Sequence, residues 1–252
     1  MVILILRNYP SDYFIAFDFM DKRYLFWSLV WVGFFYNFGL WLDKFMFWFY
    51  EPTSQAIIGP LRASLIYDIP VFLAYLSIIP GMAVFLVKME TDFVEFYDNF
   101  YNAVREGGSL EYIEEMRNEM VFTVRQGIYQ IIKIQSIAAL TVFVAGEIIL
   151  NTLHISLLYL PLLFVNLISV GLQVVFLGVL NVFFYLDKRR IVFILTGLFV
   201  VLNGVFTGLT LHLGPKFYGY GLAGALLICI MLGFRYLDKV FDELEYNTFM
   251  LQ

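Results

Sequence analysis

Long apolar runs separated by short polar stretches make up most of the chain. A helix needs about 20 predominantly apolar residues to cross the hydrocarbon core of a bilayer, which is about 30 Å thick. Six stretches meet this requirement, and the fourth is expected to begin beyond Pro161. They are residues 24–49, 69–89, 128–153, 155–186, 191–213 and 218–237. The pattern predicts an all-α fold, a polytopic transmembrane helix bundle of about six spans over residues 24–238.

Lysine and arginine fall on alternate sides of these spans. Cytoplasmic loops of membrane proteins carry an excess of both residue types. Twelve of them lie before the first span or after the second, fourth and sixth, whereas three, Lys44, Arg62 and Lys216, lie on the other side. Lys133 lies within the third span and is not counted. We therefore predict that both termini are cytoplasmic, with a lead-in at 1–23 and a tail at 239–252.

The polar segment between the second and third spans has a helical period of its own. Aromatic residues recur at helical spacing before Gly107 and Gly108, and the period then resumes into the third span. We expect a cytoplasmic helical hairpin over residues 90–127. Nine acidic residues and three arginines give residues 90–125 a charge of −6. Two interpretations remain open, a solvated acidic extension or a docking surface for a partner, anchored by Phe96, Phe100 and Tyr101.

Proline interrupts two of the predicted spans. Pro80, followed by Gly81, lies within the second span, and Pro161 lies within the fourth. Proline cannot donate a backbone hydrogen bond and it clashes with the preceding turn. We expect a kink at each position.

Composition excludes several classes of protein. Hydrophobic residues make up 61% of the chain and charged residues 15%, and the mean hydropathy is +0.80, which excludes a soluble globular domain. The formal charge of −5 provides no basic surface for nucleic acid. No catalytic motif is visible, and His154 and His212 are too far apart in sequence to suggest a metal site. We expect no enzyme activity, no metal and no cofactor.

Ionisable groups inside a membrane are costly, so each is a candidate functional residue. Asn37 and Lys44 are seven residues apart in the first span, which places them on one helix face, where they could line a cavity. Alternatively, Asp43 and Lys44 extend to the outer interface. Glu147 in the third span has three possible roles. It could line a cavity, form a hydrogen bond with a neighbouring helix, or lie at the membrane interface. A row of Asn37, Lys44 and Glu147 facing a cavity would indicate transport, and lipid-facing positions would indicate a structural role.

Specific sequence strings carry a resemblance to a known family. The chain resembles PelG, the integral membrane component of Pel exopolysaccharide export, over nearly its whole length. The strings are Tyr-Asn-Phe-Gly-Leu-Trp at 36–41 with Asp43-Lys44, Ile-Gly-Pro-Leu-Arg-Ala-Ser at 58–64 with Tyr67-Asp68, Phe-Leu-Ala-Tyr-Leu-Ser-Ile-Ile-Pro-Gly at 72–81, Met-Glu-Thr-Asp-Phe at 89–93, Phe-Tyr-Leu-Asp at 184–187 and Phe-Tyr-Gly-Tyr-Gly at 217–221.

The resemblance implies a twelve-span protein of the multidrug/oligosaccharidyl-lipid/polysaccharide flippase superfamily, in which two six-helix lobes flank a central cavity. Six spans would correspond to the C-terminal lobe, and the first residues to the end of a missing N-terminal lobe. The resemblance further implies a bacterial inner membrane location. The partners it implies are membrane lipid, a cytoplasmic glycosyltransferase and membrane subunits that sense cyclic di-GMP.

Two functions from different classes follow. The first is a transport protein that moves an amino-sugar exopolysaccharide outward for biofilm matrix. The second is a membrane scaffold that anchors the glycosyltransferase and lines no path; a membrane-embedded transferase is a third and weaker alternative. For the first function we predict a substrate path whose outer half is lined by Asn37, Asp43, Lys44, Arg62, Asp68, Tyr75 and Glu147.

Overall fold

The computed structural model describes residues 26–244, 246 and 248, and these residues are almost entirely helical. This confirms the predicted all-α class. The predicted lead-in at 1–23 and part of the tail at 239–252 lie outside the described residues. In chain order the elements are α1 (Trp27–Phe49), β1 (Gln55–Ile58), β2 (Leu61–Ala63), α2 (Leu65–Leu76), α3 (Ile78–Val87), α4 (Phe93–Arg105), α5 (Leu110–Thr152), α6 (Leu160–Tyr185), α7 (Arg189–Leu213) and α8 (Tyr220–Asp242).

Four helical segments of the described chain are long and apolar enough to cross a membrane, and they match the last four predicted spans. They are Leu110–Thr152, Leu157–Tyr185, Arg189–Leu213 and Pro215–Asp242. A bent pair, Leu65–Leu76 with Ile78–Arg105, makes a fifth candidate. The prediction of about six spans therefore exceeds by one the number that length and composition support.

The missing candidate is α1, which has 23 residues and is therefore about 34 Å long. Its length is sufficient, but its composition is unusual. All four tryptophans of the chain lie in α1, together with Asn37, Asp43 and Lys44. Tryptophan prefers the membrane interface and charged groups avoid the hydrocarbon core, so this composition sets α1 apart from the five candidates. Its crossing of the membrane stays a prediction.

The second predicted span is broken, but the break is not at Pro80 itself. Helix α2 ends at Leu76 and α3 begins at Ile78, and the segment Ile78–Arg105 differs in direction from α2 by 43°. Because Pro80 has no backbone N–H, it cannot bond the carbonyl of residue 76, so the first helix ends one turn before the proline. Gln135 of α5 donates its side-chain amide to the carbonyl of Ser77 at 3.1 Å.

Pro161 produces no kink, contrary to the expectation. It lies in the first turn of α6, which begins at Leu160. The N–H groups of a first turn have no intrahelical partner, so proline is tolerated there without loss of a hydrogen bond. Pro161 therefore starts this helix rather than bending it.

Helix α5 contains 43 residues without interruption and is therefore about 65 Å long. This is about twice the thickness of the hydrocarbon core, so part of α5 must extend beyond it. A π-helical turn, Lys88–Asp92, joins α3 to α4. The chain then reverses between α4 and α5 through Gly107, whose φ of +71° favours glycine. Helices α4 and α5 pack against each other as a hairpin.

Two series of helix–helix contacts hold the bundle together. Helix α7 lies between α1 and α8, and α6 contacts α8, α5 and α2. Gly204 and Gly208 of α7 face Leu42 and Met46 of α1, which allows these two helices to approach closely. A short antiparallel hairpin, β1–β2, connects α1 to α2. Through this arrangement α2 covers the end of α1 and contacts α6.

Candidate functional site

A pocket of about 440 Å³ lies between α1, α2 and α6, and it combines aromatic rings with charged and amide groups. Volumes of this size are typical of ligand pockets, which bind mainly through apolar walls and a few polar groups. The lining residues are Leu40, Trp41, Lys44 and Trp48 of α1, Asp68, Val71, Phe72 and Tyr75 of α2, and Gln173 of α6. Three of the seven predicted path residues, Lys44, Asp68 and Tyr75, therefore line one pocket.

Lys44 is buried in this pocket and does not extend to the surface. Its ammonium donates to the Leu40 carbonyl at 2.8 Å and lies 3.4 Å from the Asp43 carboxylate. The same ammonium lies 5.9 Å from the centre of the Trp41 ring and 5.5 Å from that of Tyr75, within range of a cation–π interaction. The Lys44 ammonium therefore ends inside the pocket, and its depth relative to the outer interface stays a prediction.

Asp43 lies behind Lys44 and does not line the pocket. It is fully buried and accepts a hydrogen bond of 2.5 Å from the Tyr67 hydroxyl. The Tyr67 ring in turn stacks on Phe47 at 3.9 Å. A buried carboxylate must be compensated by a cation and by hydrogen-bond donors, and Lys44 and Tyr67 provide both. Asp43 therefore holds Lys44 in position and connects α1 to α2.

Asp68 forms the rim of the pocket in the first turn of α2. Its carboxylate accepts from the Trp48 indole N–H at 2.9 and 3.0 Å and from the backbone N–H of Ser64 at 3.0 Å. A carboxylate in the first turn also interacts favourably with the helix dipole. No cation lies within ion-pair distance of Asp68 in the described part of the chain. These hydrogen bonds fix both the carboxylate and the Trp48 ring.

Tyr75 and Gln173 close the pocket from α2 and α6. The Tyr75 hydroxyl bonds the Gln173 side-chain oxygen at 2.7 Å. This bond joins α2 to α6, while the bonds from Asp43 and Trp48 join α2 to α1. The geometry of the pocket therefore depends on three side-chain hydrogen-bond links, two between α1 and α2 and one between α2 and α6.

Arg62 lies beside the pocket without lining it. Its Nε donates to the Ser54 hydroxyl at 2.5 Å, and that hydroxyl donates to the carbonyl of Trp48. Because Arg62 is on β2 and Trp48 is near the end of α1, these bonds attach the β-hairpin to α1. Arg62 therefore supports the position of Trp48.

Asn37 and Glu147 are not in the pocket. Asn37 is exposed and donates only to the Gly33 carbonyl of its own helix at 2.9 Å. Glu147 is exposed on α5 and has no hydrogen-bond partner among the described residues. The predicted row of Asn37, Lys44 and Glu147 therefore does not form. Asn37 and Lys44 differ because α2 covers α1 at Lys44, and spacing along one helix cannot reveal which neighbour covers it.

The predicted aromatic anchors of the hairpin face inward. Phe100 is fully buried in the main core, and Phe96 and Tyr101 are half-buried against it. Tyr97 contacts the Tyr185 ring of α6 at 5.7 Å. The apolar residues of α4 do recur at helical spacing and form one face of the helix, but α5 and the end of α6 cover this face. Phe100 is therefore no surface anchor, and the exposed residues of α4 include the acids Glu95 and Asp98.

Comparison with known proteins identifies the family. The family model of PelG, described as "Putative exopolysaccharide Exporter (EPS-E)", matches residues 1–249. The chain belongs to the PelG family. No curated protein matches the chain, and no solved structure matches it. The resemblance carried by the sequence strings is confirmed. All residues of the α1–α2–α6 pocket lie within the matched range, so this pocket belongs to the PelG portion of the chain.

The sequence does not single out the pocket residues Trp41, Trp48 and Gln173 of this PelG family member as candidate site residues. It also gives no indication that Tyr67 bonds Asp43 behind the pocket. A signal for the tryptophans exists, because Trp41, Lys44 and Trp48 follow the i, i+3, i+7 spacing of one helix face. Gln173 is a neutral polar residue within an apolar span, and such residues usually join helices. It does join α6 to α2, and it also lines the pocket. No spacing within the sequence indicates that second role.

Proposed function

We propose that this PelG family member exports an amino-sugar exopolysaccharide, and that the α1–α2–α6 pocket contacts the sugar chain during export. Family membership supports exopolysaccharide export in general. The observation that supports a role for this pocket is the combination of Trp41, Trp48 and Tyr75 rings with Lys44, Asp68 and Gln173. Sugar rings stack on aromatic faces, and their hydroxyl and acetamido groups bond to carboxylates and amides.

The pocket suits a sliding chain better than a tightly held ligand. It is open on one side, and its polar groups already bond one another through Tyr75 and Gln173, Trp48 and Asp68, and Lys44 and Asp43. A passing sugar therefore gains mainly contacts with the rings and few new hydrogen bonds. Weak and repeated contacts allow a polymer to move on. Asn37 and Glu147 remain predictions for parts of the path outside this pocket.

Tryptophan fluorescence provides a direct test, because two tryptophans line the pocket and two do not. The probe is a soluble tetramer of N-acetylglucosamine titrated against the purified protein in lipid nanodiscs. We expect a saturable change in emission that persists after Trp27→Phe with Trp31→Phe. The change should be lost after Trp41→Phe with Trp48→Phe. A saturable change of equal size in both double variants would show that the sugar binds elsewhere.

We further propose that the protein works in a bacterial inner-membrane complex with both termini in the cytoplasm. In this proposal a second, N-terminal lobe completes the translocation path. The partners are a cytoplasmic glycosyltransferase, which makes a Pel-like polymer for biofilm matrix, and membrane subunits that sense cyclic di-GMP. Support comes from the family, from the asymmetry of lysine and arginine along the chain and from the apolar helices.

The α4–α5 hairpin is the surface we propose for docking the glycosyltransferase. Its exposed charged residues are predominantly acidic, and they include Glu95 and Asp98 of α4. The aromatic side chains of α4 pack against the core, whereas Tyr112 and Phe122 of α5 are exposed. On α4, therefore, charge rather than ring insertion would select the partner. The alternative function, a scaffold without transport, uses this same surface.

Neutralising the acidic face of α4 should weaken docking without unfolding the hairpin. We expect Glu95→Gln with Asp98→Asn to reduce co-purification of the glycosyltransferase at least fivefold, because both side chains are exposed. Asp242→Asn with Glu243→Gln makes the same change in charge at the end of α8 and should leave co-purification unchanged. Equal amounts of partner bound to both variants and to the unaltered protein would contradict docking through this face.

A further inference from the structure

A second and larger cavity, of about 870 Å³, lies at the turn between α6 and α7, next to the start of α1. It shares no residue with the α1–α2–α6 pocket. One side of its lining is basic, with Lys188, Arg189 and Arg190 in succession, and another side is apolar, with Phe193 and Ile194. The export function proposed above does not use these residues.

The basic side carries an excess of positive charge. The Arg189 guanidinium already has partners within the protein. It donates hydrogen bonds of 2.5 and 3.1 Å to the Asp187 carboxylate, and it lies 4.0 Å from the centre of the Phe26 ring. Lys188 and Arg190 have no acidic partner within ion-pair distance in the part of the chain that the structure describes. Two cations next to the cavity are therefore left without a counter-ion from the described residues.

The apolar side belongs to a helix that is long enough to cross the membrane. Helix α7 begins at Arg189, and its sequence is apolar from Ile191 onward. Phe193 and Ile194 are exposed, one turn beyond the cations. A membrane-spanning helix with basic residues at its end places them at the level of the lipid headgroups, with its apolar residues against the acyl chains.

We propose that this cavity binds an anionic phospholipid. Lys188 and Arg190 contact the phosphate group, and the first part of the acyl chains lies along Phe193 and Ile194. Basic pockets between spans, at the headgroup level, have the charge and shape to hold such lipids. A soluble anion would use the same cations but would leave the apolar wall uncovered, so the structure favours the lipid. The proposal does not depend on sugar transport.

Native mass spectrometry of the purified full chain can test this directly. The probes are phosphatidylglycerol and phosphatidylcholine with identical acyl chains. We expect the unaltered protein to retain phosphatidylglycerol at least tenfold better than phosphatidylcholine. Lys188→Gln with Arg190→Gln should remove most of this preference, because the phosphate loses both cations. Arg189 is left unchanged because it is paired with Asp187.

A matched variant separates the cavity from general surface charge. Lys133→Gln with Arg235→Gln removes two exposed cations from α5 and α8 and should keep the preference for phosphatidylglycerol. Equal loss in both variants would overturn the proposal, since charge anywhere would then suffice. Displacement of the bound lipid by an equal concentration of glycerol 1-phosphate, which has no acyl chains, would also overturn it and would identify a site for soluble anions.

Discussion

Replacing Trp41 with alanine is expected to reduce secretion of the exopolysaccharide at least tenfold in cells that carry the complete export complex. Trp41 provides a ring face to the α1–α2–α6 pocket and is 49% exposed, so its removal opens no hole in the core. Truncating an aromatic anchor at a binding site costs about 2 kcal/mol or more. A loss of about 1.4 kcal/mol already corresponds to a tenfold change.

The same helix contains a closely matched control. Trp31 is 50% exposed and, like Trp41, contacts two other aromatic rings of α1, but it does not line the pocket. Trp31→Ala should therefore leave the rate of secretion nearly unchanged at equal membrane abundance. If Trp31→Ala and Trp41→Ala lowered secretion to the same extent, the pocket would have no special role. The effect would then belong to the anchoring of α1 in lipid.

Replacing Lys44 with methionine is expected to destabilise the protein by about 3–5 kcal/mol, the usual cost of removing one partner of a buried ion pair. Asp43 is fully buried, and Lys44 is the cation beside it, at 3.4 Å. Methionine fills a similar volume, so the loss arises from the uncompensated carboxylate rather than from a cavity. Thermal unfolding of the purified variant in detergent measures the effect.

Removing the second charge tests this explanation. Asp43→Asn together with Lys44→Met eliminates the unpaired carboxylate while keeping a group that accepts the hydrogen bond from Tyr67. We expect the double variant to be more stable than Lys44→Met alone, because the two positions are coupled. A double variant less stable than the single one would show that Lys44 acts by packing against Trp41 and Tyr75, not by compensating Asp43.

The sequence was sufficient for features that depend on local chemistry. The apolar runs predicted the class of fold and the last four spans, since a helix that crosses a bilayer needs a fixed length of apolar residues. Gly107 and Gly108 marked the reversal between α4 and α5, because glycine readily adopts a positive φ. The sequence strings identified the family, which the match over residues 1–249 confirms.

The structural effect of a proline is harder to predict from the sequence, because it depends on the position of the proline within a helix. Pro161 was expected to bend a helix and instead begins one, and the break near Pro80 lies three residues earlier, at Ser77. Helix boundaries decide which of these outcomes occurs. Boundaries depend on contacts with other helices as well as on the local sequence, and at Ser77 the Gln135 side chain of α5 supplies one such contact.

The candidate site depended most on tertiary structure. Asn37, Lys44 and Glu147 looked alike in the sequence, as polar residues within apolar runs, yet only Lys44 lines the pocket. The difference arises because α2 covers one end of α1, and because Gln173 comes from α6, far along the chain from Asp43 of α1 and Tyr67 of α2. Hydrophobic periodicity shows which face of a helix is apolar. It does not show which helix covers that face, and only the packed bundle decides this.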